Sequence, residues 1–497
     1  MRKIDVRLAV LTMVLLLCLP LAAACTTPPQ DVSDTTTNSA TTNGPGTPAD
    51  TSTSYTANVP SGLNYKDQPF RVYAYPKNVF VWSDYDWQCT GGPDGGVIND
   101  AVYKRSRFVE DQLGVKIEIT HSSAYTNCND LVTAITSGED LYDIANVNCL
   151  LSFTLAESGH VTELNTMDTL DMTAPWWDAN CVADLSINNK NFCLTGDIGT
   201  MYKRSISTIL FNKNIFAQHT EFTNVYDLVR EQKWTLEQMY TMSSDVADDL
   251  DGNGIRDASD KYGLVYFATM ASTLPIAGGV RYATKNSNDV PEMTLYSERC
   301  VNLLNKSAQL LYDKTLSYNV TANNQDEKLM YDIFMSDRAL FYYGELHSAE
   351  DMRGMDSDFG ILPMPKYDEA QDSYYHTINA NVAAVLVVPI SNLNRDMTGY
   401  VLDTLGAESK NVLTPAYYER NLQGQISKDV ESTISLDIII STLRYDIGDL
   451  AVRPAGAMMR ALNTSYSTDL ASAYRRQMSS INKTLETLVE SIGERYN

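Results

Sequence analysis

From Phe70 to Val147 the hydrophobic residues switch repeatedly between two periods, and this alternation limits the possible folds more than any other feature of the chain. Phe70, Val72 and Ala74 alternate with Arg71, Tyr73 and Tyr75, the two-residue period of a strand. From Asn99 the period lengthens, so that Val102, Val109 and Leu113 share one helical face that stops at Gly114. Val115, Ile117 and Ile119 alternate as a second strand, Leu131, Ala134 and Ile135 mark a second helix, and Tyr142 to Val147 make a third strand. Strands joined through helices lie parallel, because a parallel connection needs a crossover of a dozen or more residues. The expected unit is an α/β lobe with a largely parallel sheet, which binds ligands beyond the carboxyl ends of its strands.

The remainder is too long for one lobe. Roughly 440 residues follow the leader and spacer described below, more than one hydrophobic core usually organises, so two lobes are expected. Trp176-Trp177 reads as a structural pair, Asn188-Asn189-Lys190 as a hairpin turn, and Ser205 to Phe211 as a strongly β run. Thr235 and Gln238 form a capping box at a helix start, with Trp234 placed to staple onto Met239. Further helices are expected over Glu298–Lys314 and Leu329–Met335, and strands over Ala339–Tyr343 and Ala380–Val388. The final third is mostly helical, including Leu470 to Ile492.

Ahead of all this, Arg2, Lys3 and Arg7 precede an apolar run from Leu8 to Leu21, and Ala22, Ala23 and Ala24 lead into Cys25. That is the pattern of a secretory signal peptide, too short in its apolar core to span a bilayer comfortably. The small residues before Cys25 resemble the lipobox of bacterial lipoproteins, which implies a diacylated, palmitate-type anchor on Cys25. Two acyl chains, at about 0.8 kcal/mol per buried CH₂, hold a domain on a membrane durably. Residues 26 to 60 hold Thr, Ser, Pro, Gly, Asn and Asp without Lys or Arg and read as a spacer. The expected location is the outer face of the cell membrane. A net charge of −24 argues against nucleic acid as a partner, and thirty tyrosines against twelve phenylalanines suit a groove for sugars or peptides.

Apart from Cys18 and Cys25, the chain carries Cys89, Cys128, Cys149, Cys181, Cys193 and Cys300. Their spacing gives no zinc signature and leaves fifteen disulfide connectivities open. Cys89 and Cys128 stand in polar, loop-like stretches that favour bridging, Cys181 and Cys193 are near in sequence, and Cys300 shares helical spacing with Leu303, Leu304 and Leu311 as a buried thiol.

One motif carries defined chemistry. Asp249, Asp251 and Asn253 occupy the first, third and fifth positions of an EF-hand-type calcium loop over 249–260, with Gly254 at the sharp turn. Ile255 offers its carbonyl, Asp257 fills the ninth position and Asp260 the twelfth. Calcium takes six to eight oxygens in flexible geometry, so a single structural Ca²⁺ is expected here.

The leader with Cys25, the Thr-rich spacer, Thr208 to Lys213 ahead of a Trp-Thr helix start, Asp249 to Gly263, Phe334 to Tyr343, Phe359 to Lys366 and Pro415 to Glu419 together resemble one family. They are similar to family 1 extracellular solute-binding proteins of ABC importers, the maltose-binding-like group, in its clostridial form. The resemblance implies a two-lobed periplasmic-binding-protein-like fold of type II, each lobe a mostly parallel sheet flanked by helices, with ligand held in a cleft at the hinge. It divides the chain into a signal peptide (1–24), lipidated Cys25 with spacer (25–60), lobe one (61–205), lobe two (206–376), a return to lobe one (377–430) and C-terminal helices mainly of lobe two (431–497). Crossings are implied near Tyr202–Ser207, near His376–Asn381 and in the last third. The implied function is capture of a small solute, an oligosaccharide above all, by a monomer that delivers it to the permease subunits. Ligand contacts are expected from Trp82, Asp84 and Trp87 after the first strand, from Arg204 near a crossing, and from Tyr343 and Glu345 after a lobe-two strand. The rival readings are an exported glycan hydrolase, which needs two positioned carboxylates, and a surface adhesion module. No G-x-S-x-G, H-E-x-x-H or phosphate-loop pattern singles out an enzyme.

Overall fold

Two separate sheets divide the strands, and the chain crosses between them more than once. The computed structural model describes residues 54–77, 79, 85–87, 95–418 and 430–496. The leader, Cys25, Trp82, Asp84 and Cys89 lie outside the described residues. The strands are β1 (Gln68–Ala74), β2 (Val115–His121), β3 (Ile144–Asn148), β4 (Ser207–Asn212), β5 (Tyr262–Tyr266), β6 (Ala283–Lys285), β7 (Pro291–Met293), β8 (Ser317–Asn319), β9 (Ala339–Glu345), β10 (Phe359–Leu362) and β11 (Ala384–Val387). The first sheet runs β11-β3-β1-β2 and the second β10-β4-β9-β5-β8, while β6 and β7 form a hairpin.

In the first sheet β1 is parallel to β2 and β3, as the strand and helix periods require. The helix between β1 and β2, Val97–Leu113, buries Val102, Val109 and Leu113 and ends at Gly114, whose φ of 62° is left-handed. Antiparallel pairing appears between β11 and β3, β10 and β4, and β4 and β9. Within the two larger sheets every such pair contains β4 or β11, the strands that follow a change of sheet. A strand reached that way is freed from the right-handed crossover that makes neighbours parallel. The second sheet is therefore more mixed than the periodicity suggests.

The two-residue period decides which core each side chain joins. On β4, Leu210 joins a central cluster, and Ile209 and Phe211 face the opposite side of the second sheet. Tyr73 and Val385 bring the first sheet into the same central cluster, whereas Phe70, Val72 and Leu386 pack on its other face. The helix Leu470–Arg495 closes the central cluster with Ile481, Leu485 and Leu488. Its end docks on the helix Cys149–Glu157, where Arg495 Nε donates to the Glu157 carbonyl at 2.8 Å and the Tyr496 hydroxyl to the Val161 carbonyl at 3.0 Å. The C-terminal helices thus serve the first lobe as well as the second. No helix among the described residues is long and apolar enough to cross a membrane.

Three segments run side by side between the sheets. Ile206 bridges Ile378, and His376 bridges Leu443. The Ser207 N–H donates to the Thr377 carbonyl at 3.0 Å, the Asn379 N–H to the Ser205 carbonyl at 2.9 Å, and the Arg444 N–H to the His376 carbonyl at 2.9 Å. His376 is buried among them; its Nε2 accepts from the Met364 N–H at 3.0 Å and its Nδ1 lies 2.8 Å from Thr442 Oγ1. Burial pushes this imidazole down to about 3, so it is neutral in the folded chain.

Several local expectations find their physical cause here. Asn188 and Asn189 adopt φ of 55° and 59° in the turn that joins Ile187 to Lys190, a conformation Asn tolerates. The Thr235 hydroxyl accepts from the Gln238 N–H at 3.4 Å, and Trp234 and Met239 are buried together. Trp176 and Trp177 are structural: their indole N–H groups donate to Asp403 Oδ1 at 3.3 and 2.9 Å.

Candidate functional site

Where the crossing segments leave the second sheet, they wall a cavity of ≈ 60 Å³. Ser205, Ser207, Asn379 and Asn381 come from the crossings, and Tyr343 and Glu345 from the carboxyl end of β9. Thr269, Ser272 and Thr273 come from the start of the helix Met270–Ala277, and Asp449 and Arg460 from the C-terminal helices Ile447–Leu450 and Arg453–Thr464. The site lies beyond the end of a sheet strand, as open α/β folds place ligands.

The wall mixes polar groups with Ile378 and Ala380, and its polar groups differ in whether they are already occupied. Glu345 Oε1 accepts from Asn379 Nδ2 at 2.7 Å, which ties β9 to the returning crossing. Its Oε2 has no aligned donor and sits 3.3 Å from His347 Nε2, while His347 Nδ1 lies 2.9 Å from Asp351 Oδ2. Burial alone would lower the His347 pKa, but the carboxylates of Asp351 and Glu345 outweigh it and push the imidazole up to about 10. The Tyr343 hydroxyl is 3.1 Å from Thr273 Oγ1.

Asp449 and Arg460 are different. Neither side chain has a hydrogen-bonded partner among the described residues, although both face the cavity. They flank Gly456, where a β-carbon would lie 3.2 Å from Arg460 Nη1 and 3.7 Å from Asp449 Oδ1. Burial, reinforced by nearby Asp446, pushes the Asp449 carboxyl up to about 8. Asp446 itself is fully used: Oδ2 accepts from the Tyr282 N–H at 2.8 Å, and Oδ1 from the Gly448 and Ala283 N–H groups at 2.9 and 3.1 Å. A free acceptor beside a free guanidinium, with amides and hydroxyls around them, suits a solute rich in hydroxyls.

The residues expected at the site separate clearly. Tyr343 and Glu345 line the cavity. Trp87 does not; it is buried in the core of the first sheet with the Arg105 guanidinium 5.4 Å from its ring centre. Arg204 is also off the wall, fully buried, with Nε 2.9 Å from Glu350 Oε1 and the rings of Tyr85 and Tyr417 on its guanidinium at 5.4 and 5.0 Å. Its partner belongs to the helix Leu346–Asp351 that follows β9, so this pair ties the two lobes together. Asp449, Arg460, Asn379 and Asn381 were not singled out by sequence reasoning. Their local pattern is that of ordinary helix starts and loops, and only the crossing assembles them.

Away from the cavity, Asp249, Asp251 and Asp260 offer carboxylate oxygens that all lie within 4.8 Å of one another. Asn253 donates from Nδ2 to Asp251 Oδ2 at 2.6 Å, and Asp257 is turned to the Ser259 N–H at 2.8 Å. Ile255 is 66% exposed and its N–H donates to Asn253 Oδ1 at 2.6 Å. Three of the six expected ligands therefore converge in this conformation. Cys128, expected in a polar stretch, is buried at 6% exposure, and Cys300 is buried as its spacing implied.

No protein-family model matches the chain, and no curated protein matches it. Solved structures do. UspC of M. tuberculosis aligns with TM-score 0.56 at 12% identity, over 84% of this chain and 100% of that one. The ABC substrate-binding protein Lmo0181 from Listeria monocytogenes, solved in complex with cycloalternan, aligns with TM-score 0.53 at 11% identity, over 86% and 99%. A family 1 extracellular solute-binding protein from Bifidobacterium longum subsp. infantis gives TM-score 0.53 at 11% identity, over 86% and 99%. The likeness is one of fold: the chain has the two-lobed α/β architecture of solute-binding proteins.

Asp449 gives this site a pH signature. Its folded pKa of about 8 stands above its ordinary value of 3.8, so the stability tied to its protonated form is complete below pH 3.8 and is lost as pH rises through 8. The Asp449→Asn variant should melt close to wild type at pH 4 and progressively above it toward pH 8, measured by thermal denaturation across that range. A constant offset at all pH values would contradict the assignment.

Proposed function

We propose that this chain is the extracellular solute-binding component of an ABC importer, which takes up a carbohydrate, an oligosaccharide above all, and hands it unchanged to the permease. The observation that carries the reading is the pair of unpartnered side chains, Asp449 and Arg460, in a polar cavity walled by the segments that join the two lobes. Both side chains are partly exposed, so a solute entering the cavity takes the place of water on them. A solute with adjacent hydroxyls supplies both an acceptor for Arg460 and donors for Asp449. The ligand named for Lmo0181, cycloalternan, supports a carbohydrate class. In this reading the lobes part to admit the solute and close again around it.

In this reading the leader exports the chain, Cys25 carries lipid, and residues 26–60 hold the folded part away from the bilayer. The loop 249–260 holds one structural Ca²⁺. The converging carboxylates of Asp249, Asp251 and Asp260 support this, and Asn253, Ile255 and Asp257 complete the ligand set once the ion draws them in.

Four outcomes are expected. In a thermal-shift and calorimetry screen of glycans, polyols and peptides, a glycan should raise the melting temperature without being converted. Arg460→Ala should weaken its binding at least about tenfold, since a hydrogen bond to a charged group contributes roughly 1.5–3 kcal/mol, and Asp449→Ala should weaken it several-fold, since a neutral one contributes roughly 0.5–1.5 kcal/mol. Turnover of the glycan, or unchanged affinity in both variants, contradicts the reading. Chelator-stripped protein should gain melting temperature with millimolar Ca²⁺ and lose that gain in Asp251→Ala, whereas no heat on calcium addition argues for a bare acidic turn. Expressed from its own leader, the chain should sediment with membranes and take up labelled palmitate, and Cys25→Ala should do neither.

A further inference from the structure

The segment Trp176–Cys181 runs close against Cys193–Asp197. Trp177 bridges Gly196, the Asp178 N–H donates to the Thr195 carbonyl at 2.9 Å, and the Asp197 N–H donates to the Trp176 carbonyl at 2.8 Å. The approach is so close that a β-carbon on Gly196 would lie 2.2 Å from the Trp176 carbonyl oxygen. Asp178 then caps the helix Ala179–Asp184, accepting from the Cys181 N–H at 3.1 Å, which turns Cys181 inward. Cys181 and Cys193 are free thiols buried in the central core at 0% and 4% exposure, on the two segments that this pairing holds side by side. Cys149 is buried in the same cluster.

We infer that Cys181 and Cys193 form a disulfide, closing a loop of about a dozen residues around the Asn188-Asn189 turn. The step is thiol–disulfide exchange with an external organic disulfide, such as oxidised glutathione or an exported disulfide oxidase. One cysteine thiolate attacks that disulfide and releases a thiolate. The second cysteine attacks the resulting mixed disulfide and releases the other. Two S–H bonds are lost, one S–S bond forms, two protons leave, and the oxidant takes two electrons to become two thiols. Burial excludes the oxidant from the finished fold, so exchange belongs to folding, when the Trp177–Gly196 pairing has formed but the core has not closed. The same helix carries Asp178 and Asp184, which hold Tyr445 and Arg281 of the second lobe: the Tyr445 hydroxyl donates to Asp178 Oδ2 at 2.8 Å, and Arg281 Nη1 lies 3.3 Å from Asp184 Oδ2. The bridge therefore braces a contact between the lobes.

The full chain, refolded with oxidised glutathione, should be alkylated without reduction, digested and mapped by mass spectrometry. The expected product is one peptide pair linked through Cys181 and Cys193, two hydrogens lighter than the reduced pair, with Cys149 and Cys300 alkylated. Reduction with dithiothreitol should lower the melting temperature by about 3–6 °C. Cys149→Ser should keep the linked pair, and Cys181→Ser/Cys193→Ser should melt like the reduced protein and no longer respond to dithiothreitol. Alkyl groups on both Cys181 and Cys193 after oxidative refolding, or a link through Cys149, would overturn the inference. The mapping on the unmutated chain decides it even where a variant fails to fold.

Discussion

Backbone pairing at the crossing is the constraint on which the other features rest. Residues 205–207, 376–379 and 442–444 are drawn from distant parts of the chain, yet they exchange N–H and carbonyl groups as neighbours. Segments buried between two sheets have no water to satisfy those groups, so they must satisfy one another. His376 is held by the same requirement, with both ring nitrogens engaged and its charge excluded. Because Ser205, Ser207, Asn379 and Asn381 are part of these segments, the joint between the lobes and the wall of the cavity are one structure. A change in the angle between the lobes necessarily reshapes the site.

Electrostatics reinforces that coupling. Arg204 and Glu350 form an ion pair across the lobes with side-chain exposures of 0% and 7%. Removing two charges from water is costly, and their attraction repays it only while geometry and further contacts are kept. The rings of Tyr85 and Tyr417 supply those contacts, and Asp86 organises the same corner by accepting from the Thr200 and Met201 N–H groups at 2.8 and 3.0 Å. Parting the lobes exposes both charges to water, which offsets part of the lost attraction. The helix that carries Glu350 begins at the end of β9, directly after Glu345.

How far this was legible in the sequence depends on the range of the forces involved. Periodicity is local, so β1, β2, β3 and the helix Val97–Leu113 followed from hydrophobic spacing, as did the cap at Thr235. The mixed second sheet did not, because strand direction at β4 and β11 is set by where the chain changes sheet. Tyr343 and Glu345 were legible as the end of a strand. Trp87 and Arg204 lie off this cavity, and aromatic and cationic residues that suit a sugar cleft suit a buried cation–π pair as well. Asp449 and Arg460 carried no local signal, since their significance comes from lacking a partner in three dimensions.

That lack bears on how the cleft works. A solute that reaches Asp449 and Arg460 meets two side chains that hold no hydrogen bond to another described residue. If the lobes part and close as proposed, a solute that bridges Asp449 and Arg460 must bind the closed arrangement better than the open one. Only such a difference in affinity can shift the balance between the two arrangements; tight binding that is equal in both shifts nothing. On the proposed function, the groups that would recognise the solute sit on or beside the crossing segments, so any movement of one lobe against the other alters their spacing.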